Sequence, residues 1–207
     1  MGSKQLPDDP VIPVLVAGFL LPCALALMPL DGWAADGRQI AAAKCASCHG
    51  PDGASGEPDV PRIAGLQPAY IARQSKEFAD GRRRNEDMAQ LGAALGEDEV
   101  RAVAAWYGGR KMPPGKAGEP GLAEAGRQIY EDGNGDPAVQ PCAVCHQSDG
   151  AGNARFPWLA GQHKPYIVKQ LGEFKSGRRA TDPQMADIAK RLSAQEIRAQ
   201  AEYIGGL

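Results

Sequence analysis

The sequence predicts an all-α fold built from two tandem units of similar plan. The chain of 207 residues repeats itself in register, and each repeat spaces its apolar residues as helices do. A stretch rich in Pro, Gly and Lys stands between the repeats and has the composition of a linker. We therefore divide the chain into an N-terminal segment 1–35, a first domain 36–110, a linker 111–122 and a second domain 123–207.

The N-terminal segment has the outline of a secretory signal peptide. Residues 11–30 form an uncharged apolar run, and small residues suited to cleavage follow near Ala34 and Ala35. The run is also long enough to span a bilayer, so the alternative is an uncleaved anchor that tethers the protein to a membrane. Either outcome places the rest of the chain outside the cytoplasm.

The charge balance argues against one class of partner. Segment 1–34 holds one of the 23 Lys and Arg and three of the 25 Asp and Glu, so the remainder is balanced at 22 of each. Proteins that bind nucleic acid usually present a strongly basic face. We therefore expect no nucleic-acid partner.

The repeats correspond block by block, and each block contains a predicted helix. The matching blocks are 37–56 with 126–153, 61–84 with 157–180, and 88–109 with 185–206. The first match needs eight extra residues in the second repeat, and the other two need none. The middle helices are predicted over 68–80 and 165–176.

Local end signals support these helices. Gly81 and Gly177 follow the middle helices, where a C-terminal cap belongs. Ser193 and Glu196 have the spacing of a capping box at the start of the last helix.

Every cysteine after residue 35 lies in a C-x-x-C-H motif, CASCH at 45–49 or CAVCH at 142–146. Positions i, i+3 and i+4 share one face of a helix, so two thiols and an imidazole point to one side. This motif is the signature of covalent haem attachment. It predicts two haem c groups, with thioether bonds at Cys45, Cys48, Cys142 and Cys145 and iron ligation by His49 and His146.

Two other kinds of site use paired cysteines. A four-thiolate zinc site usually joins pairs 15–20 residues apart, whereas these pairs lie much further apart, and it gives the histidines no role. A thioredoxin-like dithiol requires a βαβ pattern, which the sequence lacks. Both alternatives are therefore much weaker than haem.

A methionine follows each histidine at the same distance. Met88 lies 39 residues after His49, and Met185 lies 39 residues after His146. A lone methionine usually fills a core, as we expect for Met112. The duplicated register instead predicts Met88 and Met185 as the second axial ligands. Histidine and methionine together fill both axial positions and raise the haem potential, which favours electron transfer over catalysis.

The sequence also resembles a known family. FPWLAGQHKPYIVKQLGEFKSGRRATDPQMADIAKRLS resembles the second half of the cytochrome c4 family, and PRIAGLQPAYIARQSKEFADGRRRNEDM resembles the first. The resemblance implies two class I cytochrome c domains related by a pseudo-twofold axis, each with a His/Met haem. It implies that the carbonyls of Pro61 and Pro157 orient the axial histidines.

The family resemblance further implies a function. It suggests a periplasmic carrier, not an enzyme, that takes single electrons from a quinol-oxidising complex to a terminal oxidase. The alternative is a dihaem cytochrome subunit of a dehydrogenase complex, such as flavocytochrome sulfide dehydrogenase or an alcohol dehydrogenase.

Two departures from the family pattern stand out. Asp182-Pro183-Gln184 precedes Met185, whereas Asn-Glu-Asp precedes Met88, so the two haems are expected to differ in potential. The insertion before Cys142 is longer than the family pattern suggests. Its acidic residues do not continue as a calcium loop, and it is predicted to be a surface turn.

The remaining polar candidates receive structural predictions. Arg82–Arg84 and Arg178–Arg179 are predicted to be solvated charge runs, with pairing to haem propionates as the alternative. Tyr70 and Tyr166 are predicted to be core residues of their helices. His163 is predicted to be an exposed residue at a helix start.

Overall fold

The structure is a computed structural model that describes residues 1–2 and 36–207, so the predicted signal peptide or anchor lies outside the described residues. Within that part the chain forms helices and turns, with no strand beyond an isolated antiparallel bridge between Arg83 and Arg179. The all-α prediction is confirmed. Both repeats lie in one compact unit, Trp33–Leu207. No helix in the described ranges is long and apolar enough to cross a membrane.

The helices follow the repeat. The first repeat contains α1 (Gly37–Ile40), a π-helical turn (Ala41–Cys45), α2 (Ala46–His49), α3 (Pro68–Ala79), α4 (Glu86–Ala94) and α5 (Glu97–Gly108). The second contains α6 (Pro120–Asp132), α7 (Cys142–His146), α8 (Lys164–Ser176), α9 (Pro183–Arg191) and α10 (Ala194–Ile204). Helix α6 begins within the range that the sequence analysis gave to the linker.

The first and last helices of each repeat cross at a glycine. A Cβ on Gly37 would overlap the carbonyl of Ala102, and one on Gly126 would overlap the carbonyl of Ala199. Glycine has no side chain, so two helix backbones can approach this closely. The crossing packs the helix that precedes each C-x-x-C-H motif against the last helix of the same repeat.

Each repeat has its own apolar core. Tyr107, Ile71 and Met112 are buried in the first core, so the prediction that Met112 fills a core is confirmed. The second repeat has two buried clusters, one around Tyr130 and one around Leu192.

The linker is packed against the second repeat. The Lys116 amide donates to the carbonyl of Gly205 at 2.9 Å, and the Glu119 amide donates to the Glu202 carboxylate at 2.9 Å. Lys164 donates to the same carboxylate at 2.8 Å. These bonds hold the connection between the repeats in one conformation.

Buried arginines form the centre of the contact between the repeats. Arg83, only 5% exposed, donates to Gln74 of its own repeat at 2.6 Å. It also reaches into the second repeat, where it donates to the Tyr166 hydroxyl at 2.6 Å and to Gln170 Oε1 at 2.7 Å. Its charge is therefore solvated by amide and phenol oxygens of both repeats.

Arg179 makes the same contacts in the opposite direction. It donates to Gln170 at 2.8 Å within its own repeat, and to Gln74 at 2.9 Å and the Tyr70 hydroxyl at 3.1 Å across the contact. Arg83 and Arg179 also pair as an antiparallel bridge. This reciprocal exchange between equivalent residues is what a pseudo-twofold relation requires.

The network corrects two predictions. Arg82 and Arg178 are exposed, as expected of a solvated charge run, but Arg83 and Arg179 are buried. The prediction failed there because two of the three acceptors of each arginine belong to the other repeat. The prediction of a core residue is confirmed for Tyr70, which packs against the first core, but the half-buried Tyr166 belongs to neither cluster described in its repeat. Both hydroxyls are hydrogen-bonded across the contact.

A second reciprocal pair corrects the prediction for His163. His163 is half-buried, and its Nε2–H donates to the carbonyl of Ser55 at 2.9 Å. Gln67 stands at the equivalent position of the first repeat and donates from Nε2 to the carbonyl of Ala151 at 3.0 Å. Each repeat thus donates a side-chain hydrogen bond to a backbone carbonyl of the other. The donor is an imidazole in the second repeat and an amide in the first.

Candidate functional site

Each C-x-x-C-H motif lies on a short helix that ends in an unusual backbone conformation. Gly50 follows α2 with φ 78° and ψ 159°, and Gln147 follows α7 with φ 65° and ψ 160°. The loop then folds back, because the Ser55 amide donates to the His49 carbonyl and the Gly152 amide to the His146 carbonyl, both at 2.9 Å. None of the four motif cysteines is paired in a disulfide.

The two histidines are held in the same way. His49 is 8% exposed and its Nδ1–H donates to the carbonyl of Pro61 at 3.0 Å; His146 is 7% exposed and donates to the carbonyl of Pro157 at 3.0 Å. Because a carbonyl only accepts, Nδ1 carries the proton and Nε2 presents its lone pair. Burial lowers the pKa of both rings, which favours the neutral form that binds a metal.

Two buried tyrosines fix the residue after each histidine, a role that the sequence pattern does not indicate. Tyr107 of α5 donates to the carbonyl of Gly50 at 3.1 Å, and Tyr130 of α6 donates to the carbonyl of Gln147 at 2.7 Å. Both tyrosines are 0% exposed. The hydroxyl comes from the last helix in one repeat and from the first helix in the other. An alignment of the repeats therefore shows two unmatched tyrosines and conceals their common role.

The methionines occupy the third position of equivalent helices. Asn85 caps α4 by accepting from the Met88 amide at 2.9 Å, and Asp182 caps α9 by accepting from the Met185 amide at 3.0 Å. Both caps have extended backbone, and both methionines are half-buried. The absence of the proline before Met88 thus leaves the helix start unchanged, and Pro183 takes the first helical position, which suits proline.

The surroundings of His146 place the capping residue of α9 nearby. Burial is the main cause of the lowered pKa of His146, and the hydrogen bond to Pro157 and the negative charge of Asp182 partly oppose it.

The residues present fit haem c. Each repeat supplies two cysteines outside any disulfide, a neutral imidazole and a methionine thioether, which is the donor set of a covalently attached His/Met haem. Between the repeats, the buried Nε–H of Arg179 has no acceptor among the described residues, which suits a carboxylate such as a haem propionate. No group of three or more His, Cys, Asp or Glu in the described part of the chain has the arrangement of a metal site, so a shared zinc site is not formed there.

This fold and these paired motifs define a tandem c-type cytochrome. Residues 33–106 match the family model described as cytochrome c oxidase, cbb3-type, subunit III, and residues 123–207 match the model described as cytochrome c. Each repeat is thus a cytochrome c domain.

Relatives that match over most of both chains identify the family within this class. The chain is 41% identical over 168 residues to cytochrome c4 of Thiocapsa roseopersicina, covering 79% of this chain and 86% of that one. It is 35% identical over 200 residues to the thiosulfate dehydrogenase electron acceptor of Stutzerimonas stutzeri, covering 89% and 92%. The crystal structure of reduced cytochrome c4 from Pseudomonas stutzeri superposes with a TM-score of 0.79 at 33% identity, covering 85% and 99%.

The chain belongs to the cytochrome c4 family. It is accordingly an electron-transfer protein rather than an enzyme, and it carries two covalently bound haem c groups. The resemblance seen in the sequence is confirmed.

Proposed function

We propose that this protein carries single electrons in the periplasm, from a quinol-oxidising complex to a terminal oxidase. The observation that supports the proposal best is the duplication of one complete site. Each repeat has the same C-x-x-C-H helix, the same histidine-to-carbonyl bond of 3.0 Å and a methionine at the third position of a capped helix.

We assign the ligands on the same ground. Cys45, Cys48, Cys142 and Cys145 would hold the two haems by thioether bonds, and the axial ligands would be His49 with Met88 and His146 with Met185. The carbonyls of Pro61 and Pro157 would orient the histidines. When bound, haem c supplies one-electron oxidation and reduction of iron, and His/Met ligation raises its potential.

The expected export and domain limits belong to the same proposal. Segment 1–35 would direct the chain out of the cytoplasm and be removed, leaving haem domains 36–110 and 123–207 joined by the linker 111–122. N-terminal sequencing of the protein from its native host tests this. A mature chain that begins near residue 35 supports cleavage, and one that begins at Met1 or Gly2 supports a retained anchor.

A dedicated dehydrogenase is the second candidate donor. A relative that is 35% identical is named as the electron acceptor of thiosulfate dehydrogenase. The same two haems would then accept electrons from an enzyme partner, such as a thiosulfate, sulfide or alcohol dehydrogenase, before passing them on. The two candidates differ in the donor and share the site.

A redox titration tests the ligand assignment. The oxidised protein should show a methionine–iron charge-transfer band, and the reduced protein should show a c-type spectrum with two haems per chain. Met88→Ala and Met185→Ala should each lower one of the two midpoint potentials and leave the other in place, because histidine–methionine ligation raises the potential. One haem per chain, or high-spin ferric iron at neutral pH, would overturn the assignment.

Reduction kinetics test the donor. Stopped-flow mixing of the oxidised protein with membranes that contain a quinol-oxidising complex should reduce both haems, and an inhibitor of that complex should prevent it. Purification from the native host shows whether a dehydrogenase binds the protein. A stoichiometric dehydrogenase partner, together with slow reduction by the membranes, would replace the first candidate by the second.

A further inference from the structure

The second repeat carries an insertion between α6 and α7 that the first repeat lacks, and it contacts the far end of the methionine-bearing helix. We propose that the loop that contains this insertion (residues 133–141) and Lys175 together form a brace that holds α9. As a result, Met185 resists displacement by external ligands more strongly than Met88. The proposal rests on the axial assignment given above.

The insertion adds apolar packing at the corner between α9 and α10. Val139 is 3% exposed and forms a buried cluster with Leu192 and Ile197, which are 1% and 6% exposed. Leu95, which occupies the place of Leu192 in the first repeat, is only half-buried. The predicted surface turn thus contains one core residue that seals this corner.

Polar contacts join the insertion to both helices. Asp136 pairs with Arg191 in the last turn of α9 at 3.0 Å. Asn134 donates to Glu196 at 3.0 Å, and Glu196 in turn accepts from the Ser193 amide in the capping box of α10. The insertion therefore fixes the end of α9 and the start of α10 together.

Lys175 completes the brace from the other side. Its Nζ donates to the carbonyl of Lys190 at 3.2 Å and to that of Leu192, which are acceptors at the C-terminal end of α9. Ala79 stands at the equivalent position in the first repeat and has no such donor. Burial follows the same difference, because α9 buries Ala189 and α4 buries none of its residues.

The position of the methionine makes these contacts relevant to iron ligation. Met185 lies near the start of a nine-residue helix whose other end is braced, whereas Met88 lies in an equivalent helix without a brace. An external ligand can replace a methionine only if its helix swings away or opens locally. The contacts of the brace must then break and add to the free energy of opening, and among the described residues α4 has no counterpart of these hydrogen bonds and this ion pair.

The experiment is a titration of the oxidised protein with imidazole. Loss of the methionine–iron charge-transfer band reports displacement, and haem methyl signals in proton NMR spectra show which haem has changed. In the wild type, the haem of the first domain should change at a lower imidazole concentration than that of the second.

Variants in both directions test the brace itself. Val139→Ala and Lys175→Ala should each lower the half-saturating concentration for the second haem by roughly fivefold, the effect of about one lost kcal/mol. Ala79→Lys should raise the concentration for the first haem, since it supplies the missing donor at the end of α4. Glu124→Ala removes an exposed ion pair with Arg127 on α6 and should change neither value.

The outcomes separate the brace from the ligand assignment. Equal half-saturation at the two haems, or no change with Lys175→Ala and Ala79→Lys, would overturn the brace while leaving the function intact. If the wild type shows no methionine–iron band at one haem, the axial assignment fails first. Lys175 and Ala79 are exposed, so substitutions there should not prevent folding. The test therefore does not depend on whether Val139→Ala folds.

Discussion

Removing the guanidinium of Arg83 should show how much the buried network between the repeats contributes to the free energy of unfolding. The exposed arginine beside it provides the comparison. Arg83→Met keeps the apolar stem of the side chain and removes its donors. Three acceptors lose a charged partner at once, one in the same repeat at 2.6 Å and two in the other repeat at 2.6 and 2.7 Å. Water has little access, since Arg83 is 5% exposed.

The expected cost follows from that geometry. A hydrogen bond to a charged group contributes about 1.5–3 kcal/mol, but bonds that share one donor group do not add fully. The acceptors are neutral, and two of them keep a bond from Arg179, so we expect Arg83→Met to cost about 2–3 kcal/mol. Arg82 pairs with Asp80 at the surface, so Arg82→Met should cost much less than Arg83→Met.

Urea unfolding of the haem-loaded protein, followed by circular dichroism, measures both costs. Arg83→Lys keeps a charge but has a shorter reach and fewer donors, and it should fall between the wild type and Arg83→Met. A double-mutant cycle with Tyr166→Phe should show coupling across the contact between the repeats. Equal costs for Arg82→Met and Arg83→Met, or zero coupling to Tyr166, would show that the buried network does not stabilise the contact between the repeats.

Four further substitutions test other parts of the fold by thermal unfolding. Gly126→Ala places a methyl group on a helix backbone and should cost about 3 kcal/mol or prevent folding; a neutral result would mean that the helices can move apart. Gln147 adopts a conformation that favours glycine, so Gln147→Gly should stabilise the protein by about 1 kcal/mol, whereas Gly50→Ala at the matching position should destabilise it. The hydrogen bond from Lys164 lowers the pKa of Glu202, so this carboxylate stabilises the fold above its unfolded pKa of about 4.3 and the contribution is lost as pH falls through the lower folded pKa. Glu202→Gln should therefore lose less stability on acidification than the wild type, by about 1 kcal/mol, and parallel losses would contradict this.

Features that depend on neighbouring residues could be predicted from the sequence. The middle helices were expected at 68–80 and 165–176 and are found at Pro68–Ala79 and Lys164–Ser176. Gly177 has φ 74° at the end of α8, and the capping box at Ser193 is formed. Spacing of three or four residues, capping oxygens and glycine at positive φ act within one turn of helix, so the local sequence specifies them.

Features that depend on residues far away in the chain could not be predicted from the sequence. Arg82 and Arg83 are adjacent and chemically identical, yet only Arg83 meets Tyr166 and Gln170, which lie more than 80 residues later in the chain. The two buried tyrosines escaped notice for a related reason. Tyr107 and Tyr130 donate to equivalent carbonyls from different helices. The hydrogen bond is therefore repeated in both domains, but the tyrosine that makes it is not at the same position of the repeat.

The reciprocal network has a consequence for how the two domains came to be joined. Each repeat contributes the same set, an arginine with a glutamine and a tyrosine, and each set supplies both donors and acceptors. A surface of this kind is isologous, like the interface of a homodimer with twofold symmetry. One repeat thus holds a complete half-interface that could pair with a copy of itself. The covalent connection then serves to maintain a high effective concentration of the two halves, so that their association does not weaken when the protein is diluted.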